Sequence, residues 1–322
     1  MLLRHRSAAV QRAGEPPHRT PEENVGLGVR PGPARPRDPR LVAAAWVLTL
    51  VLSGLPIIVW AGVANRPPQS LGGWVLVGAL PLLALCCLWP PSRPLRGYVS
   101  VMVAVFCVAY VLQPRLASWL PDDQVVLNQI LLNRTITALL AVVLAVGLVK
   151  GLGLTRREAF LAPGDLTART RLRWPGTQRQ VSWAVVATSA AAVIFGLLAA
   201  ATWPASGLAT ARIGDLLPWI PVVLACAALN AFIEEVIYRS GPLATLVGVV
   251  GSTHALLLTS LWFGLAHYFG SMPEGPAGVV ASGGLALLLG RVMLATRGLA
   301  WPWLMHFAID TAVFVSIALA TV

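Results

Sequence analysis

Few residues of this 322-residue chain could do chemistry, and they lie together. Of thirteen acidic side chains, Glu234, Glu235 and Asp310 fall well inside long apolar runs, and the last third of the chain also holds His254, His267 and His306. A carboxylate at the centre of a spanning helix costs about 2.5–3.5 kcal/mol on insertion scales, so such groups face a polar cavity or a partner. The local sequences are Ile233-Glu234-Glu235-Val236-Ile237-Tyr238-Arg239, Phe263-Gly264-Leu265-Ala266-His267 and His306-Phe307-Ala308-Ile309-Asp310. On a helix Glu235 and Arg239 stand at i and i+4 and can neutralise each other, while Glu234 points about 100° away and stays free. His306 and Asp310 share a helix face in the same way, so they can meet one ligand or each other. Amide hydrolysis needs a base for water and a donor for the developing oxyanion, and a buried glutamate paired with histidine suits the first task.

The elements that must position these groups are membrane helices. The chain is 57% hydrophobic and 11% charged, with mean hydropathy +0.73, whereas soluble domains are about 45–50% apolar and about 25% charged. A soluble fold is excluded. The apolar residues form runs of about 18–25, the length that crosses roughly 30 Å of hydrocarbon. The expected fold is all-α, a polytopic transmembrane bundle with helices near 41–63, 71–89, 98–113, 126–149, 182–203, 214–240, 253–269, 276–295 and 301–320. That makes about nine spans, or eight given the short third run and the polar start of the fourth at Asn128, Asn133 and Arg134.

The net charge of +11 speaks for topology rather than for nucleic acid. Residues 1–40 read as a disordered Arg/Pro-rich tail, 41–149 as an N-terminal four-helix membrane part, 150–181 as a basic loop and 182–322 as a C-terminal membrane part. The tail and the loop are both cytoplasmic by their arginines. An even number of spans separates them, the turn with Arg93 and Arg96 is basic, and the alternate turn carries Asp122 and Asp123, so the parity is consistent. The N-terminus is therefore cytoplasmic, and the bilayer is the partner that composition implies. The Ala, Arg and Pro bias suggests a bacterial chain and hence its plasma membrane. Cys86, Cys87, Cys107 and Cys226 have neither disulfide-framework nor zinc-motif spacing and read as packing residues. Trp60, Trp89, Trp203, Trp301 and Trp303 near helix ends read as interfacial anchors, His254 likewise, and Arg291 as a snorkelling side chain.

Depth offers an independent check. Arg239, Gly241 and Pro242 mark a cytoplasmic helix exit, which puts Glu234 roughly 8–12 Å inside. His306 follows the Arg297-Gly298 turn to a similar depth. His267 follows the Gly251-Ser252 turn by about as many residues as Glu234 precedes it, so an antiparallel hairpin levels the two if 242–250 is helical and protrudes. Three helices can thus serve one buried site open to the cytoplasm.

In this order the motifs EExxxR, FxxxH and HxxxD resemble those of the CPBP family, the CAAX proteases and bacteriocin-processing proteins that include the type II CAAX prenyl endopeptidases. The resemblance covers about residues 214–320. It implies an intramembrane endopeptidase, acting on a membrane protein or peptide that in part of the family is prenylated. By position, Glu234 and His267 would activate water, His306 and Asp310 would stabilise the oxyanion, and Glu235 with Arg239 would be a supporting pair. Two positions depart from the family pattern: Tyr238-Arg239-Ser240 stands where Phe-Arg-Gly is usual, and Asp310 where the prenyl endopeptidases have Asn. An ionised Asp cannot donate to an oxyanion as Asn does.

Glu234, His267, His306 and Asp310 are also a set that could bind zinc or another divalent metal as in a metalloprotease, with a position left for water. HExxH is absent, and no two histidines share a helix at i, i+4, so nothing local preassembles such a centre. The metal-free reading is favoured: Glu234 and His267 serve as base, His306 as oxyanion donor, and Asp310 holds His306 in the donating tautomer. Two other classes stay open: a non-catalytic scaffold or bacteriocin self-immunity protein on the same fold, and a transporter.

Overall fold

Most of the residues described by the computed structural model, 38–64, 69–119, 126–207, 213–269 and 274–321, are helical. A chain this apolar must satisfy its backbone N–H and C=O groups internally, and helices do so within each segment. The expected tail, residues 1–40, lies outside the described residues apart from its last three, as does the Asp122-Asp123 turn.

In chain order the helices are α1 (Pro39–Val51), α2 (Leu55–Ala64), α3 (Gln69–Leu88), α4 (Arg96–Cys107), α5 (Gln113–Ala117), α6 (Val126–Val146), α7 (Trp183–Thr202), α8 (Ile213–Leu216), α9 (Ile220–Glu235), α10 (Gly241–Val250), α11 (Ser252–Ala266), α12 (Gly275–Thr296) and α13 (Ala300–Leu319). Wider π turns follow α4 at Val108–Leu112, α6 at Gly147–Gly151 and α9 at Val236–Ser240. The basic loop contains a feature that its sequence reading lacks, an antiparallel hairpin of β1 (Arg169–Arg173) and β2 (Gln180–Ser182).

Among the described residues five segments are long and apolar enough to cross a membrane: Val126–Gly151, Trp183–Thr202, Gly214–Val250, Gly275–Thr296 and Ala300–Leu319. Two bent pairs, Pro39–Val51 with Leu55–Val63 at 43° and Gly73–Leu88 with Pro90–Cys107 at 115°, raise the number to seven. This falls short of the expected nine. The run 41–63 breaks at Ser53-Gly54, and the run 253–269 yields only the 15 residues of α11, roughly 22 Å at the helical rise. The helix expected over 214–240 instead continues through α10, as the hairpin argument required.

The close contacts that fix the site are made where side chains are missing. A Cβ on Gly264 of α11 would lie 2.6 Å from the Val279 carbonyl oxygen and 3.3 Å from Gly283 Cα on α12. Small residues let helix backbones approach in this way. At the start of α13 a Cβ on Gly298 would lie 2.3 Å from Gly164 Cα, and Gly164 has φ +87°, so the loop can dock there only as glycine. Three backbone bonds complete that dock: Leu299 to Ala162, Ala300 to Pro163, and Asp165 to Thr296.

Two tryptophans read as interfacial anchors hold helices together instead. Trp203 Nε1 donates to the Ala312 carbonyl of α13 at 2.9 Å, and Trp303 Nε1 to the Ala228 carbonyl of α9 at 3.0 Å. An indole N–H inside a bundle finds its partner on the next helix. Trp60 and Trp89 remain exposed, and Trp301 donates to the Leu166 carbonyl at 3.3 Å. Cys86 and Cys226 are buried as packing residues should be, whereas Cys87 is exposed.

Candidate active site

Glu234 and Glu235 end α9, and the chain then widens into the π turn Val236–Ser240. Gly241 N–H reaches back five residues to the Val236 carbonyl, and Pro242 brings no N–H to continue a tighter ladder. Single π turns of this sort recur at functional sites. Here the turn keeps Arg239 under Glu235: Arg239 Nη1 donates to Glu235 Oε1 at 2.5 Å, with both side chains essentially inaccessible. The expected pair is therefore present. The Arg239 guanidinium also lies over the Phe263 ring, 4.3 Å from its centroid, a cation–π contact.

His267 was expected within a helix, but it stands just past α11, where its N–H still bonds the Gly264 carbonyl. Its Nδ1 lies 2.8 Å from the Phe263 carbonyl oxygen. A carbonyl only accepts, so Nδ1 carries the proton and Nε2 of the neutral ring is an acceptor. The Phe263 ring packs against the imidazole at 4.3 Å. His306 and Asp310 lie one turn apart on α13, which packs against α7 and α9.

These elements bring all four candidates together. Glu234 Oε2 is 4.0 Å from His267 Nε2 and 3.4 Å from His306 Nε2, and Asp310 Oδ1 is 3.6 Å from the same nitrogen of His306. The side chain of His267 is 29% exposed and that of Glu234 15%, against 4% for His306, so the cluster opens on the His267 side. Each separation exceeds an ideal hydrogen bond. Glu234 to His267 is a span that one water, at about 2.8 Å from each, would bridge.

Two readings from the sequence need correction. Asp310 does not hold the far nitrogen of His306: Glu235 does, with Oε1 2.7 Å from Nδ1. A ring nitrogen facing a carboxylate donates, so Glu235 sets the His306 tautomer and is more than a neutraliser of Arg239. An i, i+4 offset allows either nitrogen of His306 to meet Asp310. The rotamer that turns Nδ1 toward α9 decides between them. His254 is remote from the cluster and accepts from Trp46 Nε1 at 3.2 Å.

One member was missed. Asn230, one turn before Glu234, donates through Nδ2 to Glu234 Oε1 at 3.2 Å and to Asp310 Oδ2 at 2.9 Å. It ties the two carboxylates by their outer oxygens and leaves Oε2 and Oδ1 facing the histidines. The signal was a buried amide four residues from Glu234 in an otherwise apolar run.

The donor types suit zinc, and both Nε2 atoms are the unprotonated nitrogens in neutral rings. Yet among the described residues no group of three or more His, Cys, Asp and Glu side chains has the arrangement of a metal centre, and no step below is routed through one. Comparison with curated proteins and with solved structures gives no match. A family comparison does: residues 215–312, which carry Asn230, Glu234, Glu235, Arg239, His267, His306 and Asp310, match the type II CAAX prenyl endopeptidase Rce1-like family.

Proposed function

We propose that the protein is an intramembrane endopeptidase that hydrolyses a peptide bond of a membrane-associated protein or peptide. The observation that carries the reading is the convergence of Glu234, His267 and His306, from three separate helix segments, with gaps of 3.4 and 4.0 Å around Glu234 Oε2. A water held between Glu234 and His267 loses a proton to this pair as its oxygen attacks the scissile carbonyl. His306 Nε2 faces the developing oxyanion. Because Nδ1–H is committed to Glu235, a donating Nε2 makes the ring cationic, and the buried Glu235 carboxylate stabilises that charge. The abstracted proton passes to the leaving amine as the C–N bond breaks. Asp310, tied by Asn230, lies 3.6 Å from His306 Nε2 and does not itself donate to the oxyanion.

The same reading places the site on the cytoplasmic side of a bacterial plasma membrane, with the N-terminus cytoplasmic, the residue 150–181 loop beside the site and 182–322 as the catalytic half. The arginine distribution supports this orientation. A prenylated substrate is the family's implication and the first candidate to try.

The test is a proteomic comparison of membranes holding wild type, Glu234→Gln or His267→Ala at equal abundance. New termini that appear with wild type and vanish with both variants are expected, and processing of the same proteins by Glu234→Gln at wild-type rate would sink the proposal in favour of a scaffold or immunity role. Activity that is lost on chelation and restored by added zinc would overturn its metal-free form.

A further inference from the structure

Away from Glu234, two cavities meet at the basic edge of the bundle. One is a cleft of about 480 Å³ between α4 and α6, walled by apolar side chains that include Val101, Ala104, Leu140, Leu144 and Ile237. The other is a cup of about 470 Å³ bordered by Arg93, Arg96, Leu154 and Thr245. Gly97 and Leu152 belong to both. Each volume is within the roughly 300–1,000 Å³ of small-molecule sites.

The cup is unlike the usual basic rim of a membrane protein. Arg93 and Arg96 are exposed, and among the described residues neither takes part in an ion pair. Arg93 spends only Nε, on the Cys87 carbonyl at 3.3 Å, which leaves its terminal nitrogens for another acceptor. The cleft has a peculiarity of its own. All three π turns among the described residues border it, through Val108, Gly147 and Ile237, so its walls are built from the widened helix turns that recur at binding sites.

We propose that the cup and the cleft are one binding site for an anionic glycerophospholipid of the surrounding leaflet. Its phosphate sits on Arg93 and Arg96 and one acyl chain lies between α4 and α6. Basic pockets between spanning helices recognise headgroups in this way, and the guanidinium fork matches a phosphate with two parallel donors. The charge at the mouth chooses the occupant. A neutral isoprenoid or a zwitterionic lipid would fill the cleft without using the arginines, and free phosphate would use the arginines without the cleft. The site is independent of the chemistry at Glu234.

Native mass spectrometry of the delipidated full-length protein, titrated with phosphatidylglycerol, phosphatidylcholine or inorganic phosphate, tests the proposal. One phosphatidylglycerol should bind at least tenfold more tightly than phosphatidylcholine. Arg93→Ala with Arg96→Ala, both on the surface and safe for folding, should weaken it by about thirtyfold, the combined effect of two basic side chains at a headgroup. Ala104→Phe should block the lipid by filling the cleft, and a melting curve matching wild type in the absence of lipid certifies that this variant is folded. Equal binding of the two lipids, indifference to the double arginine variant, or effective competition by inorganic phosphate or by a neutral isoprenoid alcohol would each overturn it.

Discussion

Glu235→Gln is the perturbation that separates the two roles of the buried carboxylate. One oxygen of Glu235 accepts from Arg239 Nη1 at 2.5 Å and faces His306 Nδ1 at 2.7 Å. Among the described residues no other carboxylate pairs with Arg239. Removing one partner of a buried ion pair costs about 3–5 kcal/mol, because the other charge is left uncompensated. That is a large share of a typical stability of about 5–15 kcal/mol, and a loss of even 1–2 kcal/mol lowers abundance several-fold. The variant should therefore be depleted from membranes and melt early. Arg239→Met added to Glu235→Gln removes the stranded charge and should recover much of the abundance. It should not recover turnover: glutamine carries no charge to stabilise the His306 cation that the oxyanion contact uses, and losing one oxyanion contact costs about 10²–10³ in rate. Quantitative immunoblotting, thermal melting in detergent and cleavage of a substrate from the membrane comparison read the three quantities. Wild-type melting of Glu235→Gln would refute the stability argument, and full turnover of the double variant would refute the catalytic one.

Asn230→Leu replaces the donor shared by Glu234 and Asp310 with an apolar side chain of similar size; turnover should fall by at least about tenfold, and melting should come earlier by the equivalent of about 1–3 kcal/mol, since buried carboxylate oxygens lose their donor. Asp310→Asn keeps an oxygen to accept from Asn230 and adds a donor beside His306, so cleavage should persist or improve, and complete loss would show that the ionised carboxylate is required. Gly298→Ala drives a Cβ into Gly164 and should loosen the start of α13, seen as protease sensitivity in the residue 161–166 loop together with reduced turnover; unchanged digestion would mean that the loop dock does not position the helix. A reporter inserted in the residue 150–181 loop should lie on the same side as one fused to the N-terminus, as the arginine distribution requires, and finding them on opposite sides would reject the proposed topology.

The sequence by itself determined the all-α membrane fold and singled out four candidate residues that the structure brings together, because both rest on features that need no partner. Apolar runs of spanning length have one backbone solution in lipid, and an ionisable group within such a run is too costly to be incidental. The Glu235–Arg239 pair was legible too, since an i, i+4 offset is settled by one helix alone. What only the tertiary structure decided are the relations between helices. Which carboxylate takes His306 Nδ1 depends on a rotamer and on how α13 meets α9, and the offset of His306 and Asp310 pointed to the wrong one. Asn230 was invisible as a site member because its second bond reaches a residue 80 positions away. The described helices do not match nine spans, because hydropathy does not report where a run breaks, as at Ser53-Gly54, or how soon a helix stops, as α11 does at Ala266. Near that end Gly264 packs its backbone against α12, a contact between segments that no local pattern encodes.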